Sequence, residues 1–354
     1  MRSIRKLHLT AALASVAALL ISTAAVAFPA ASQAASRPAW PGGKQPTVAL
    51  VRELCVGDFF TQWLAGAQTE AKDLGMKLTS YCANGDEAQM AADMQTAITL
   101  HANAIIVDHG RTQTMEPVIE QALKQHINVI TFDLESSAPQ VITIDQNDLK
   151  LGLDIADEMM NEMDGKAKVG YVYAAGFLPL DKRNAEWKDT QKFFPGMQQI
   201  ATWGTVSTST IAAVQNETVA ALQAHPNMTA ILAPYDAFAQ GATNGVLQLH
   251  RTGVKVFGSD ISTADIQTMV KSGSPWVATA ATDPADVGRT AVRAAALRIL
   301  GQYVPTYVEV EPTVITQDFL RSHHITTMAG LLKAMPAFGN SGMLRQPWMQ
   351  ALEH

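Results

Sequence analysis

From Pro46 onward the chain alternates short β-rich runs with amphipathic helical stretches, and it does so twice over. Val48 to Val51, Met76 to Tyr81, Ala104 to Val107 and Asn128 to Phe132 are the first predicted strands. Between them apolar residues recur at helical spacing, as in Phe60, Trp63, Ala67, Ala71 and Leu74, then Met90, Met94 and Ile98, then Val118, Ile119, Ala122 and Leu123. A repeated βα unit needs right-handed crossovers, which make a parallel sheet covered by helices on both faces. Ligands then bind beyond the carboxyl ends of the strands.

A second series begins after Val141 to Ile144. Strands are predicted at Val169 to Tyr173, Gln199 to Trp203, Ala230 to Leu232, Val254 to Phe257 and Trp276 to Ala280. Helices are predicted at Leu151 to Met163, Ala185 to Phe194, Ile211 to Ala224, Ala239 to His250, Ala264 to Lys271 and Val287 to Leu300. No Pro/Gly-rich linker separates the series, so the expected architecture is α/β, two doubly wound parallel-sheet lobes joined by short crossings, the first near Asp145 to Leu149. The 354 residues suffice for two such lobes, and 47% hydrophobic with 16% charged residues excludes wholesale disorder.

The first residues carry Arg2, Arg5 and Lys6, then a mostly apolar run from Leu9 to Val26, then small residues at Ala25 and Ala27. This is the layout of a secretory signal peptide over 1–27, with Ala34 an alternative cleavage point and 28–45 a mobile leader. The competing anchor reading is weaker: Thr10, Ser15, Ser22 and Thr23 dilute a run that barely approaches the ~20 apolar residues a spanning helix needs. A soluble periplasmic product is the expectation. Cleavage after Ala27 removes three basic and no acidic residues, leaving 23 basic against 32 acidic and a formal charge of −9. That balance argues against nucleic acid as a partner.

Two cysteines occur, Cys55 and Cys82, at or just past the ends of the first two strands, which are neighbours in a 2-1-3 strand order. A disulfide and a pair of buried free thiols both remain open on this evidence. The chain has no Gly-x-Gly-x-x-Gly after a strand, no P-loop, no Gly-x-Ser-x-Gly elbow and no His-Glu-x-x-His helix. Nothing points to a cofactor. The one adjacent histidine pair, His323-His324, stands without nearby cysteine or a third ligand and reads as surface, not as a metal site.

Four segments, in order and at expected strand ends, carry a resemblance. They are Thr47-Val-Ala-Leu-Val with Gly57-Asp58-Phe59-Phe60 and Gly66-Ala67-Gln68; Asn128-Val-Ile-Thr-Phe-Asp133; His225-Pro226 leading to Pro234-Tyr235-Asp236; and Val256-Phe-Gly258-Ser-Asp260. Over roughly Pro46 to Val314 the chain resembles the ribose-binding-protein-like, type I periplasmic binding proteins of ABC importers. The resemblance implies a three-crossing hinge near residues 147, 282 and 312. It assigns 46–147 plus 283–312 to an N-terminal lobe and 148–282 to a C-terminal lobe, and leaves 313–354 as hinge return and tail. It further implies a small sugar-like ligand, an importer permease as partner with a chemoreceptor or sensor as a further one, no cofactor, and no catalysis. The DNA-binding relatives of this fold begin with a helix-turn-helix, whereas this chain begins with an export signal.

Sugars present hydroxyls in fixed directions and a C–H face, so their sites pair hydrogen-bonding groups with aromatic rings. By resemblance at least one of Phe59 and Phe60 stacks on the ring, with Phe59 favoured as the stacker and Phe60 for the helix core, Asp133 accepts hydroxyls, Arg183 forks onto two oxygens, and Asp260 is a ligand carboxylate. The pattern is broken in places. Gly57 replaces a frequent asparagine, Asp58 a proline, Leu134 an arginine and Tyr235 an asparagine, which turns the expectation away from ribose itself and toward a polyol, an amine-bearing sugar or another relative. Position at strand ends adds Glu53, Asp108 and His109, against a rim salt bridge or loop cap as the plain alternatives; Asp283, at the second crossing, is a candidate that reads equally as a helix cap. Two rivals stand beside the importer reading: a sensor for a sugar-like signal, because Ala233-Pro234-Tyr235-Asp236 also resembles the autoinducer-2-binding branch, and an exported enzyme using paired carboxylates on a sugar.

Overall fold

The computed structural model describes residues 38–352, so the signal-peptide and cleavage expectations lie outside the described residues. The first series folds as β1 (Thr47–Arg52), α1 (Asp58–Asp73), β2 (Lys77–Cys82), α2 (Glu87–Thr99), β3 (Ala104–Asp108), α3 (Thr112–Lys124), β4 (Asn128–Phe132) and β5 (Ile142–Asp145). The second runs α4 (Asp148–Glu162), β6 (Ala167–Val172), α5 (Leu178–Phe193), β7 (Met197–Trp203), α6 (Thr210–Ala224), β8 (Ala230–Ala233), α7 (Asp236–Gln248), β9 (Lys255–Ser259), α8 (Thr263–Val270), β10 (Trp276–Ala281) and α9 (Pro284–Ile299). Two edge strands follow, β11 (Tyr307–Glu309) and β12 (Thr313–Thr316).

Each lobe has one six-stranded sheet, ordered β11-β5-β4-β3-β1-β2 and β12-β10-β9-β8-β6-β7. Every pairing is parallel except β10 with β12. The central strands β3 and β8 are buried along their whole length, as strands covered on both faces must be. The chain passes from one sheet to the other after β5, after β10 and between β11 and β12. α9 returns to the first lobe and lies along α1 so closely that a Cβ on Gly66 would stand 2.0 Å from the Ala285 carbonyl oxygen, and one on Gly288 2.2 Å from that of Trp63. Glycine is required at both positions because the two backbones touch.

The tail is structured. α10 (Gln317–Ser322) and α11 (Met328–Ala334) join the second lobe, whose core takes in Leu320, Ile325, Met328, Leu331 and Phe338. Gln317 Nε2 donates to the carbonyls of Met269, Ser274 and Trp276 at 2.7, 3.1 and 2.9 Å. The chain then goes back: Arg289 donates to the Gly339 carbonyl at 2.8 Å, the Ser341 amide to Asp286 at 2.8 Å, and Trp348 and Met349 of α12 (Pro347–Gln350) are buried in the first lobe. The tail thus adds a fourth connection to the three of the hinge. Trp40, in the stretch read as a mobile leader, is also buried in that lobe, because an indole gains more from apolar contact than a leader keeps in freedom. Among the described residues no helix is long and apolar enough to cross a membrane.

Candidate functional site

The strands of both sheets end at the seam between the lobes, and the residues that follow them line a cavity there. The first lobe contributes Leu54, Phe59, Phe60 and His109; the first crossing contributes Gln146. The second lobe contributes Phe177, Pro179, Leu180, Arg183, Val206, Tyr235 and Asp260. Seven apolar side chains form most of this wall, against five, His109, Gln146, Arg183, Tyr235 and Asp260, that can bond to polar ligand groups.

His109, Asp133 and Asp260 each stand one residue after a strand and adopt positive φ, at 64°, 50° and 67°. Such backbone costs non-glycine residues of order 1–3 kcal/mol and tends to collect at functional sites. Here it turns each side chain back toward the seam. Asp108 closes β3 and receives Arg52 Nε at 3.0 Å and His109 Nδ1 at 2.6 Å. The other imidazole nitrogen of His109 lies 3.6 Å from Asp133 Oδ2, and Gln146 Nε2 donates to the same oxygen at 3.3 Å. Burial pulls the His109 pKa down, but the hydrogen bond and charge of Asp108, with Glu53, outweigh it and leave the imidazole more basic than usual.

Arg183 organises the other side. Its Nε donates to Asp148 Oδ1 at 2.9 Å, Nη1 to the Pro234 carbonyl at 2.8 Å, and Nη1 and Nη2 fork onto Asp260 at 3.0 and 3.2 Å. The expected fork is present, but it holds protein carboxylates in place. Behind the lining, Asp133, Asp145 and Asp148 bring carboxylate oxygens within 4.8 Å of one another. Lys182 bonds Asp145 at 2.6 Å and Arg183 bonds Asp148, so protein cations already neutralise part of this acid floor and a metal is not needed to explain it. Two oxygens, Asp133 Oδ1 and Asp148 Oδ2, are buried and reached by no donor among the described residues. Burial, then Asp148 and Asp145, push Asp133 well above the ordinary carboxylate range. Burial also dominates at Asp148, which Arg183 pulls down and Asp145 and Asp260 push up, to about 6. Unpaired, buried oxygens of this kind retain unused acceptor capacity.

Of the residues expected from sequence, Phe59, Phe60, His109, Arg183, Tyr235 and Asp260 line the cavity. Phe60, a ligand candidate favoured for the helix core, is buried and also reaches the cavity, edge-on to His109. Asp133 and Asp108 stand behind His109. Glu53 is turned inward, where it accepts the Gly110 amide at 2.8 Å and takes no part in the cavity lining, and its pKa is raised by burial against the pull of His109. Asp58 opens α1 at the surface and meets Ser262 Oγ of the other lobe at 3.3 Å. Asp283 is the N-cap of α9, bonded to the Ala285 amide at 3.2 Å and to Arg289, and is no part of the cavity lining. Cys55 and Cys82 are joined in a disulfide with Cα atoms 6.1 Å apart.

Sequence reasoning missed Leu54, Gln146, Phe177, Pro179, Leu180 and Val206. The strand-end rule reaches Leu54 after β1 and Val206 after β7. Phe177 to Leu180 follow β6, but the helix was expected only from Ala185, whereas α5 opens at Leu178 with proline in its first turn.

Known proteins share this fold. Residues 48–302 match the family described as periplasmic binding protein domain. The ribose import binding protein of Escherichia coli (strain K12) is 25% identical over 277 residues, 77% of this chain and 91% of the relative. A crystal structure of a 5-methylthioribose transporter solute binding protein from Thermotoga lettingae, in complex with 5-methylthioribose, is 42% identical with a TM-score of 0.85, over 87% of this chain and 98% of that one. A sugar ABC transporter structure from Yersinia enterocolitica is 30% identical with a TM-score of 0.84, over 88% and 95% of the two chains.

Proposed function

The chain belongs to the periplasmic binding protein family, and on that premise we propose that it is the exported solute-binding component of an ABC importer for a pentose-like sugar bearing an apolar substituent, of the 5-methylthioribose class. One observation carries the ligand class: a cavity walled by Leu54, Phe59, Phe60, Phe177, Leu180 and Val206 lies against His109, Gln146 and the acid floor behind them. Ring hydroxyls donate toward the acid side, where bonds to carboxylates are charge-assisted and strong once water is excluded. An apolar group on the sugar covers the hydrocarbon wall that a fully hydroxylated sugar leaves facing its own polar atoms. The 42% identity to a protein crystallised with 5-methylthioribose supports the same class.

Binding works by closure. The cavity is built from both lobes, so ligand bridges them and favours the form that a membrane permease receives. No residue set here is needed to make or break a bond, and the relatives named above are binding proteins. The test is calorimetric titration of the mature chain with 5-methylthioribose and with ribose. The expected result is one saturable site, with 5-methylthioribose at least about tenfold tighter, the worth of one to two buried methylene-sized groups, and both sugars recovered unchanged. Absence of binding by either sugar, or conversion of one, overturns the reading.

A further inference from the structure

Phe177 sits on the loop between β6 and α5 and lines the cavity, packed with Val206 against the apolar cluster that contains Leu180. Across the seam, the guanidinium carbon of Arg111 stands 5.8 Å from the Phe177 ring centroid. Gly176 precedes the phenylalanine with φ 91°, and a Cβ there would lie 3.2 Å from Arg111 Nη1, so the guanidinium covers the backbone as well as the ring. Arg111 is tied to its own lobe: its amide donates to Glu87 Oε2 at 3.3 Å and its Nε lies 4.0 Å from Glu87 Oε1. The contact between lobes is therefore between a cation and an aromatic face, and it exists only when the lobes meet.

We propose that Phe177 is the specificity-determining residue for the apolar substituent of the ligand and that Arg111 is its positioning residue, clamping it from the opposite lobe on closure. The proposal rests on the functional reading above. Leu54 comes from the first lobe and Phe177, Leu180 and Val206 from the second, so the apolar part of the wall is completed by closure. A side chain on a loop needs something to hold it there, and Arg111 supplies that from outside the cavity without touching the ligand.

The experiment measures affinity and dissociation rate for 5-methylthioribose and for ribose in the wild-type protein and in Phe177→Ala, Arg111→Ala and Arg111→Lys. Phe177→Ala is expected to weaken 5-methylthioribose about tenfold while changing ribose little, the scale on which an apolar pocket discriminates. Arg111→Ala is expected to speed 5-methylthioribose release about two- to fivefold, the worth of one partly exposed cation–π contact, and Arg111→Lys to restore most of it. Equal losses for both sugars in Phe177→Ala, or release from Arg111→Ala at the wild-type rate, overturn the proposal. A wild-type protein that binds neither sugar removes the functional reading and the clamp together, whereas normal wild-type binding with unresponsive variants removes the clamp alone.

Discussion

Asp133 and Asp148 each keep one buried oxygen without a donor among the described residues, beside Asp145 and opposite Lys182, Arg183 and His109. Their carboxyls hold protons to higher pH in the folded protein than in the unfolded chain, Asp148 to about 6. The folded state therefore carries the extra proton between the unfolded value and the raised one, and ligand-free stability falls as pH rises through about 6. Ligand hydroxyls donating to the same oxygens favour the ionised form, so affinity moves the other way. We expect 5-methylthioribose binding to weaken by up to about tenfold per pH unit below 6, the limit for one linked proton, with proton release on binding near that pH. His109, made more basic by Asp108, stays cationic there and does not cancel the effect. Titration in buffers of different ionisation enthalpy reads the proton directly; affinity independent of pH between 5 and 8 contradicts this role. Asp133 and Asp260 were legible in sequence because a strand end and a family pattern coincide on them, and Arg183 through the family pattern alone. What Arg183 does was not, since only coordinates place its fork on Asp148 and Asp260 and not on a ligand.

The loop from β1 to α1 carries Leu54 and Phe59 into the cavity, and Cys55 between them is bonded to Cys82 at the end of β2, closing a loop of 27 residues in sequence separation. Such a cross-link removes unfolded-state freedom equivalent to about 3.5 kcal/mol in the chain-entropy picture. Replacing both cysteines by serine is expected to lower Tm by roughly 5–10 °C and to weaken ligand binding severalfold, because the loop loses its tie to β2. A differential scanning measurement checks the first and calorimetry the second; an unchanged Tm sinks the argument. At this scale most of the fold was readable, since the strands up to β10 are apolar runs set among amphipathic helices. β11 and β12 are short, polar and have no helix between them to mark a βα unit, and are set by pairing with β5 and β10. α5 begins seven residues before the expected Ala185, because Leu178-Pro179-Leu180 reads as loop until the proline is placed in a first turn. That misplaced boundary is why the second lobe's apolar wall was not foreseen.

Two lobes, four connections and a shared cavity make the molecule a single binding device. Among the described residues, contacts across the seam include Asp58 with Ser262, Arg111 with Phe177, and Lys182 with Glu135, Asp145 and Tyr307. A ligand enclosed by residues of both lobes cannot reach its place, or leave it, unless these part. The tail, anchored through Gln317 in one lobe and Trp348 in the other, runs beside the hinge and shares in any such motion. Its course was not legible in sequence, because isolated apolar residues such as Leu331 and Trp348 declare burial without declaring the lobe that buries them. Small-angle scattering from the mature protein with and without saturating 5-methylthioribose is the most direct test of the whole account. The expected result is a smaller radius of gyration with the sugar and no change with a sugar that does not bind, as closure around a ligand requires; a radius that stays the same while calorimetry records full occupancy contradicts it.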